Sequence, residues 1–99
     1  MNYTRMVIGE CISGEQVKHF SELYQFHNPA EHPGFVRSEL LTEEGGNMIV
    51  METVWATQAD CLRYHSSRSY RQFVQASQHL LVGNFVVKIF SVQPAKVTA

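Results

Sequence analysis

Alternation of apolar and polar positions is sharpest between Asn47 and Trp55, where Ile49, Met51, Thr53 and Trp55 share one face and Met48, Val50 and Val54 the other. Glu52 stands among the latter. A strand apolar on both faces needs a cover on each. Ala56-Thr57 follows, and a helical pattern opens at Gln58, with Thr57 as N-cap and Asp60 at the third position, where a carboxylate suits the positive end of a helix. Ser66 to Ser69 interrupts that pattern, which predicts a break or a fresh cap at Ser67 or Ser69. The stripe then resumes through Tyr70, Phe73, Val74, Ser77, Leu80 and Leu81 and stops at Gly83-Asn84.

The flanking segments complete the plan. Arg5 to Ile12 reads as a strand with Met6 and Ile8 on one face and Val7 on the other. Gly9 marks a bulge or a close approach to something bulky. Ser13 with Gln16 fits a capping box, and Val17, Phe20, Leu23 and Tyr24 give the following helix one apolar stripe, ended by Asn28-Pro29. Phe35 to Thr42 is a strand in which Phe35, Arg37, Glu39 and Leu41 alternate with Val36, Ser38 and Leu40. Glu43-Glu44-Gly45-Gly46 then predicts an antiparallel hairpin. Phe85 to Val92 is the last strand, apolar on both faces apart from Lys88. The tail from Ala95 to Ala99 is expected to fray unless a partner holds it.

Strand, helix, strand, strand, helix, strand is an α+β, ferredoxin-like β-α-β-β-α-β order with an antiparallel sheet. It spans a single domain over residues 1–99, with an ordered core from about residue 4 to 93. Helices cover one face of such a sheet. The apolar residues on the other face would meet water at a cost of about 25 cal/mol per Å². A homodimer joined through the open sheet face, sheet against sheet, removes that cost.

Composition narrows the function classes. The chain of 99 residues is 44% hydrophobic and 17% charged, which is globular rather than disordered. Eight Lys and Arg against nine Asp and Glu, without a basic block, leave nucleic acid and anionic membranes as poor partners. Cys11 and Cys61 lack metal-ligand spacing and are expected to be free thiols in a reducing compartment. The N-terminus lacks a basic start and apolar run, so the expected address is cytoplasmic. No stretch approaches the ~18 apolar residues of a membrane span. No Gly-rich phosphate loop implies a nucleotide or flavin.

The residues with chemical potential each carry two readings. Trp55 at a strand end is either a flat pocket wall with one donor or a core tryptophan anchoring the next helix. Tyr64 and His65 are adjacent on a helix, diverge by about 100 degrees, and so do not both face one pocket directly. Arg37 lines either an internal polar patch or a subunit interface, with Glu39 beside it. Glu52 on an apolar face is an interface ion pair more readily than a general base. Phe20, Tyr24, Met51 and Phe73 are core residues or walls for a small aromatic ligand. His27, Glu31 and His32 form a polar group in one connection, read as surface or helix-end residues rather than as a metal site.

Trp55-Ala56-Thr57-Gln58, then Ser67 and Tyr70, and His32-Pro33-Gly34-Phe35 before the second strand resemble the antibiotic biosynthesis monooxygenase family, from about Met6 to Val92. The resemblance implies the dimeric α/β-barrel fold. That group includes cofactor-free oxygenases of polycyclic anthrones and quinols, haem-degrading enzymes and muconolactone isomerase-like proteins. For the oxygenases it implies a pocket between helices and sheet in which a phenolic substrate is deprotonated and its carbanion reduces oxygen directly. On that resemblance a monooxygenase without cofactor or metal is expected. Its catalytic set would be Trp55, Tyr64, His65 and Arg37, with Phe20, Tyr24, Met51 and Phe73 binding substrate. A non-enzymatic small-molecule binding or accessory dimer, or an isomerase on the same fold, is the alternative. Two departures stand out. Tyr64 occupies a position where many members carry histidine, and tyrosine is the weaker neutral-pH base, at ~10 against ~6.5. Val74 stands where the haem-degrading branch has its ligating histidine, so haem degradation is not expected.

Overall fold

The computed structural model describes residues 1–94, and the expectation for Ala95 to Ala99 lies outside them. Four strands, β1 (Tyr3–Glu10), β2 (Phe35–Thr42), β3 (Met48–Trp55) and β4 (Val86–Ser91), form one antiparallel sheet in the order β2-β3-β1-β4. Three helices, α1 (Gly14–Gln25), α2 (Gln58–His65) and α3 (Arg68–Ser77), lie on one face of it. This is the ferredoxin-like order, with the last strand added beside the first. The strand-to-helix corner at Trp55 falls where the pattern places it.

Local chemistry sets the element ends. Thr57 Oγ1 accepts from the Asp60 N–H at 3.1 Å, and Ser67 Oγ accepts from the Tyr70 N–H at 3.2 Å. The serine break therefore divides one helical pattern into α2 and α3. Ser13 departs from expectation. Its extended backbone starts α1, but its hydroxyl bonds the Gln16 side chain and caps no backbone N–H. Gly34 adopts φ +81°, its carbonyl accepts from the Ala56 N–H at 2.8 Å, and a Cβ there would collide with Asp60. Pro33-Gly34-Phe35 and Trp55-Ala56-Thr57 thus meet in space as one corner, a structural reason for both motifs.

The face toward the helices takes Val7, Ile49, Met51 and Trp55, packed against Phe20, Cys61, Tyr64, Tyr70, Phe73 and Leu80. Gly9 belongs to this face, and the Phe85 ring occupies the space where its Cβ would stand, at 2.9 Å. Cys11 and Cys61 are both buried and free. On β2 strict alternation fails. A bulge between Phe35 and Arg37 pairs Phe35 with Trp55 but Arg37 with Val54, so the two side chains lie on opposite faces instead of sharing one. Arg37 therefore stands on the open face, with Glu39, Glu52, Lys88, Met6, Ile8 and Val50. Leu41, Val86 and Phe90 are exposed there. Among the described residues, no helix is long and apolar enough to cross a membrane.

Candidate active site

Arg5 organises the covered face. On β1 it points toward the helices with Val7 and Gly9, between Thr53 of β3 and Ile89 of β4, and is 1% exposed. Its Nη2 donates to Nδ1 of His65 at 2.8 Å, and its guanidinium carbon lies 4.1 Å from the Tyr70 ring centre and 5.4 Å from that of Tyr64. All nine acidic residues lie within the described residues, yet none forms an ion pair with Arg5, and its Nε has no partner. The cation is compensated by aromatic faces and one imidazole alone.

That contact fixes the state of His65. Arginine only donates, so Nδ1 of His65 carries the lone pair and the ring hydrogen sits on Nε2. Partial burial, then the neighbouring Arg5 charge, lowers the His65 pKa, which keeps the ring neutral at pH 7. His65 is thereby a donor through Nε2 rather than a free base. It lines an open groove of about 580 Å³ together with Ser66, Tyr70, Arg71, Val74 and Gln75, with Gln78 just after α3, and with Asn84 and Phe85 just before β4. Gln78 Nε2 donates to Asn84 Oδ1 at 3.2 Å, joining two of the lining residues.

Behind this wall, Tyr64 is buried and stacks on Trp55, with ring centres 4.8 Å apart and planes at 27°. Its hydroxyl lies 2.5 Å from Nε2 of His27, just beyond α1. Burial pushes the Tyr64 pKa far up, against the pull of Arg5 and with help from Tyr24 and Tyr70. Burial, then His32 and Arg5, lowers that of His27. Tyr64 is therefore the donor and neutral His27 the acceptor. His27 also stacks on Phe73 at 4.7 Å, and His32 meets the Tyr64 ring edge-on while pairing with Ser69 Oγ at 2.9 Å. An imidazole from another element, that of His27, thus lies beside the Tyr64 hydroxyl.

The other residues singled out in the sequence are placed as follows. Trp55 is fully buried, donates from Nε1 to Thr53 Oγ1 at 2.9 Å, and lines none of the three pockets described, because Tyr64 fills the space against its ring. Phe20 and Met51 are buried, and Phe20 meets Phe73 and Phe85 edge to face. Phe73 lines a smaller pocket with His27. The Tyr24 hydroxyl is buried without a hydrogen bond. Burial raises its pKa, and the nearby Ser38 side chain, short of bonding geometry, lowers it. Arg37 is on the opposite side of the sheet, 3.0 Å from Glu52 and 3.5 Å from Glu39. The structure thus brings Trp55, Tyr64 and His65 into one aromatic layer and leaves Arg37 out of it. Among the described residues, no group of His, Cys, Asp and Glu is arranged to hold a metal ion.

Sequence reasoning missed Arg5 and the partnership of His27. An arginine two residues before Val7 on the inward register was the available signal. For His27, contact across 37 residues left none.

The fold and this aromatic layer define a small α+β protein, and the family follows from sequence. Residues 11–76 match the model for antibiotic biosynthesis monooxygenase, so the chain belongs to the antibiotic biosynthesis monooxygenase family. Solved structures show the same fold. The monooxygenase from the gene ActVA-Orf6 of Streptomyces coelicolor, in complex with Nanaomycin D, superposes with a TM-score of 0.84 at 14% identity, over 99% of this chain and 93% of that one. SnoaB, a cofactor-independent oxygenase from Streptomyces nogalater, gives 0.73 at 20% identity, over 95% of both chains. A protein from Nitrosomonas europaea assigned by name to the antibiotic biosynthesis monooxygenases gives 0.80 at 14% identity, over 92% of this chain and 89% of that one. No curated protein matches the chain in sequence.

Proposed function

We propose that the protein is a cofactor-independent monooxygenase of a phenolic or quinol aromatic, bound in the groove between α3 and the Asn84-Phe85 segment that leads into β4. The observation that carries this is His65. It presents a fixed Nε2–H to a groove walled by Tyr70, Val74 and Phe85, of a volume suited to a polycyclic ring system. Family membership and the similar fold of SnoaB, named a cofactor-independent oxygenase, support the reaction class. The substrate ring lies against Tyr70 and Phe85, and His65 donates to its oxygen as negative charge grows there. In an anthrone, loss of a C–H proton to solvent leaves a carbanion that reduces oxygen. A C–O bond forms, and the hydroperoxide loses water to give the ketone, so one oxygen atom enters product and the other leaves as water. Trp55 and Tyr64 hold the rear wall, with Phe20, Met51, Tyr24 and Phe73 packed around them. Two copies associate through the open sheet face, where Leu41, Val86 and Phe90 are exposed and Arg37 is held by Glu52 and Glu39. The two free thiols suit a cytoplasmic address.

A binding protein without turnover is the second reading, favoured by the Tyr64 ring that fills the space beside Trp55. Oxygen uptake on a panel of anthrones and hydroquinones separates the two. The oxygenase gives uptake without added flavin or metal that falls at least about tenfold in His65→Phe. No uptake on any panel member, with the ligands still bound, establishes the binder.

A further inference from the structure

We propose that the groove selects its aromatic ligand as an oxyanion, and that Arg5 is the positioning residue that makes it do so, acting through His65. The inference rests on the reading of the groove as the ligand site. A guanidinium does not give up its proton, so Arg5 is a permanent charge, and burying one without a carboxylate is unfavourable. The fold keeps it nonetheless, 1% exposed, with Nε unpartnered and one N–H committed to His65. Its charge reaches the groove through the imidazole, whose Nε2–H is polarised by the donor at Nδ1. A second cation, Arg71, lies on the groove wall, and none of the lining residues is acidic. A negative oxygen against His65 would supply the counter-charge that Arg5 lacks. A neutral ligand of the same shape would leave Arg5 uncompensated.

The test uses 2-hydroxy-1,4-naphthoquinone, an anion at neutral pH, and its neutral methyl ether, titrated calorimetrically into the full chain. The anion is expected to bind about tenfold or more tightly than the ether, since hydrogen bonds to a charged acceptor are about twice as strong. The preference is expected to collapse toward one in Arg5→Met and in His65→Phe, because the anion loses more affinity than the ether, a pattern that simple loss of structure does not give. Nitrogen NMR of His65 adds a readout that needs no variant: the hydrogen on Nε2 in the native chain, and a mixed tautomer in Arg5→Met. Should Arg5→Met fail to fold, the native ratio, the native tautomer and the exposed-site variant His65→Phe still decide. Equal affinities, no binding of the anion, a preference that survives either substitution, or hydrogen on Nδ1 would overturn the inference. Oxygen uptake is independent of these results: binding preference without uptake removes the oxygenase and leaves the anion site, and uptake without preference does the reverse.

Discussion

Two arginines on opposite faces of one sheet have opposite company. Arg37, on the open face, is half exposed and sits between two carboxylates, Glu52 at 3.0 Å and Glu39 at 3.5 Å. Arg5, on the helix-covered face, is buried among Tyr64, Tyr70 and His65, and among the described residues no carboxylate pairs with it. A cation already neutralised in a wet setting has little left to offer a ligand. A cation buried without a counter-ion leaves an electrostatic demand unmet. The apolar residues divide the same way. Those under the helices are closed into a core, while Leu41, Val86 and Phe90 on the open face await a cover.

The largest expected effect comes from breaking the covered face. Phe20→Ala removes a fully buried ring that touches Phe73 and Phe85, and is expected to cost about 3–5 kcal/mol in urea unfolding. Leu41→Ala on the open face is expected to cost no more than about 0.5 kcal/mol in the isolated chain, yet to weaken association measured by sedimentation. Equal losses at the two sites would erase the distinction between the faces. Next comes the corner that carries the corresponding motifs. Gly34→Ala adds a Cβ at positive φ and against Asp60, and is expected to cost about 1–3 kcal/mol without changing which ligands bind.

Arg37→Met is expected to cost less than about 1 kcal/mol, because its ion pairs are solvent-screened. It should leave the anion-to-ether binding ratio as it is, and a collapse of that ratio would place the wrong arginine at the site. The smallest effect is one of pH. His27 titrates below its ordinary 6.5 because of burial, then His32 and Arg5. The unfolded chain therefore takes up protons that the folded chain refuses as pH falls from about 6.5 toward the lowered value, and stability drops across that window. His27→Gln is expected to flatten the decline, read as the urea midpoint between about pH 7.5 and about pH 5.5.

Much of this was legible in the residues. Alternation around Ile49 and Trp55, the caps at Thr57 and Ser67, and the glycine-rich hairpin after Thr42 produced the element order, because each is a local rule obeyed locally. The bulge at Val36 was not legible. One extra residue leaves the pattern intact and yet turns Arg37 from the Phe35 face to the other. Arg5 was missed for a different reason, although its inward register was there to read. A strand-start arginine usually reaches solvent, and only the return of α2 and α3, some 60 residues later, closes His65 and Tyr70 over it. Tyr64 and His65 were rightly kept apart by helical geometry. One turns in to stack on Trp55 and the other lines the groove.

The most direct measurement is a crystal structure of the protein soaked without oxygen in a polycyclic hydroquinone. Ring density is expected between Tyr70 and Phe85, with a ligand oxygen in hydrogen-bond range of His65 Nε2. Density on the open sheet face beside Arg37, or a ligand in the groove with no oxygen near His65, would contradict it.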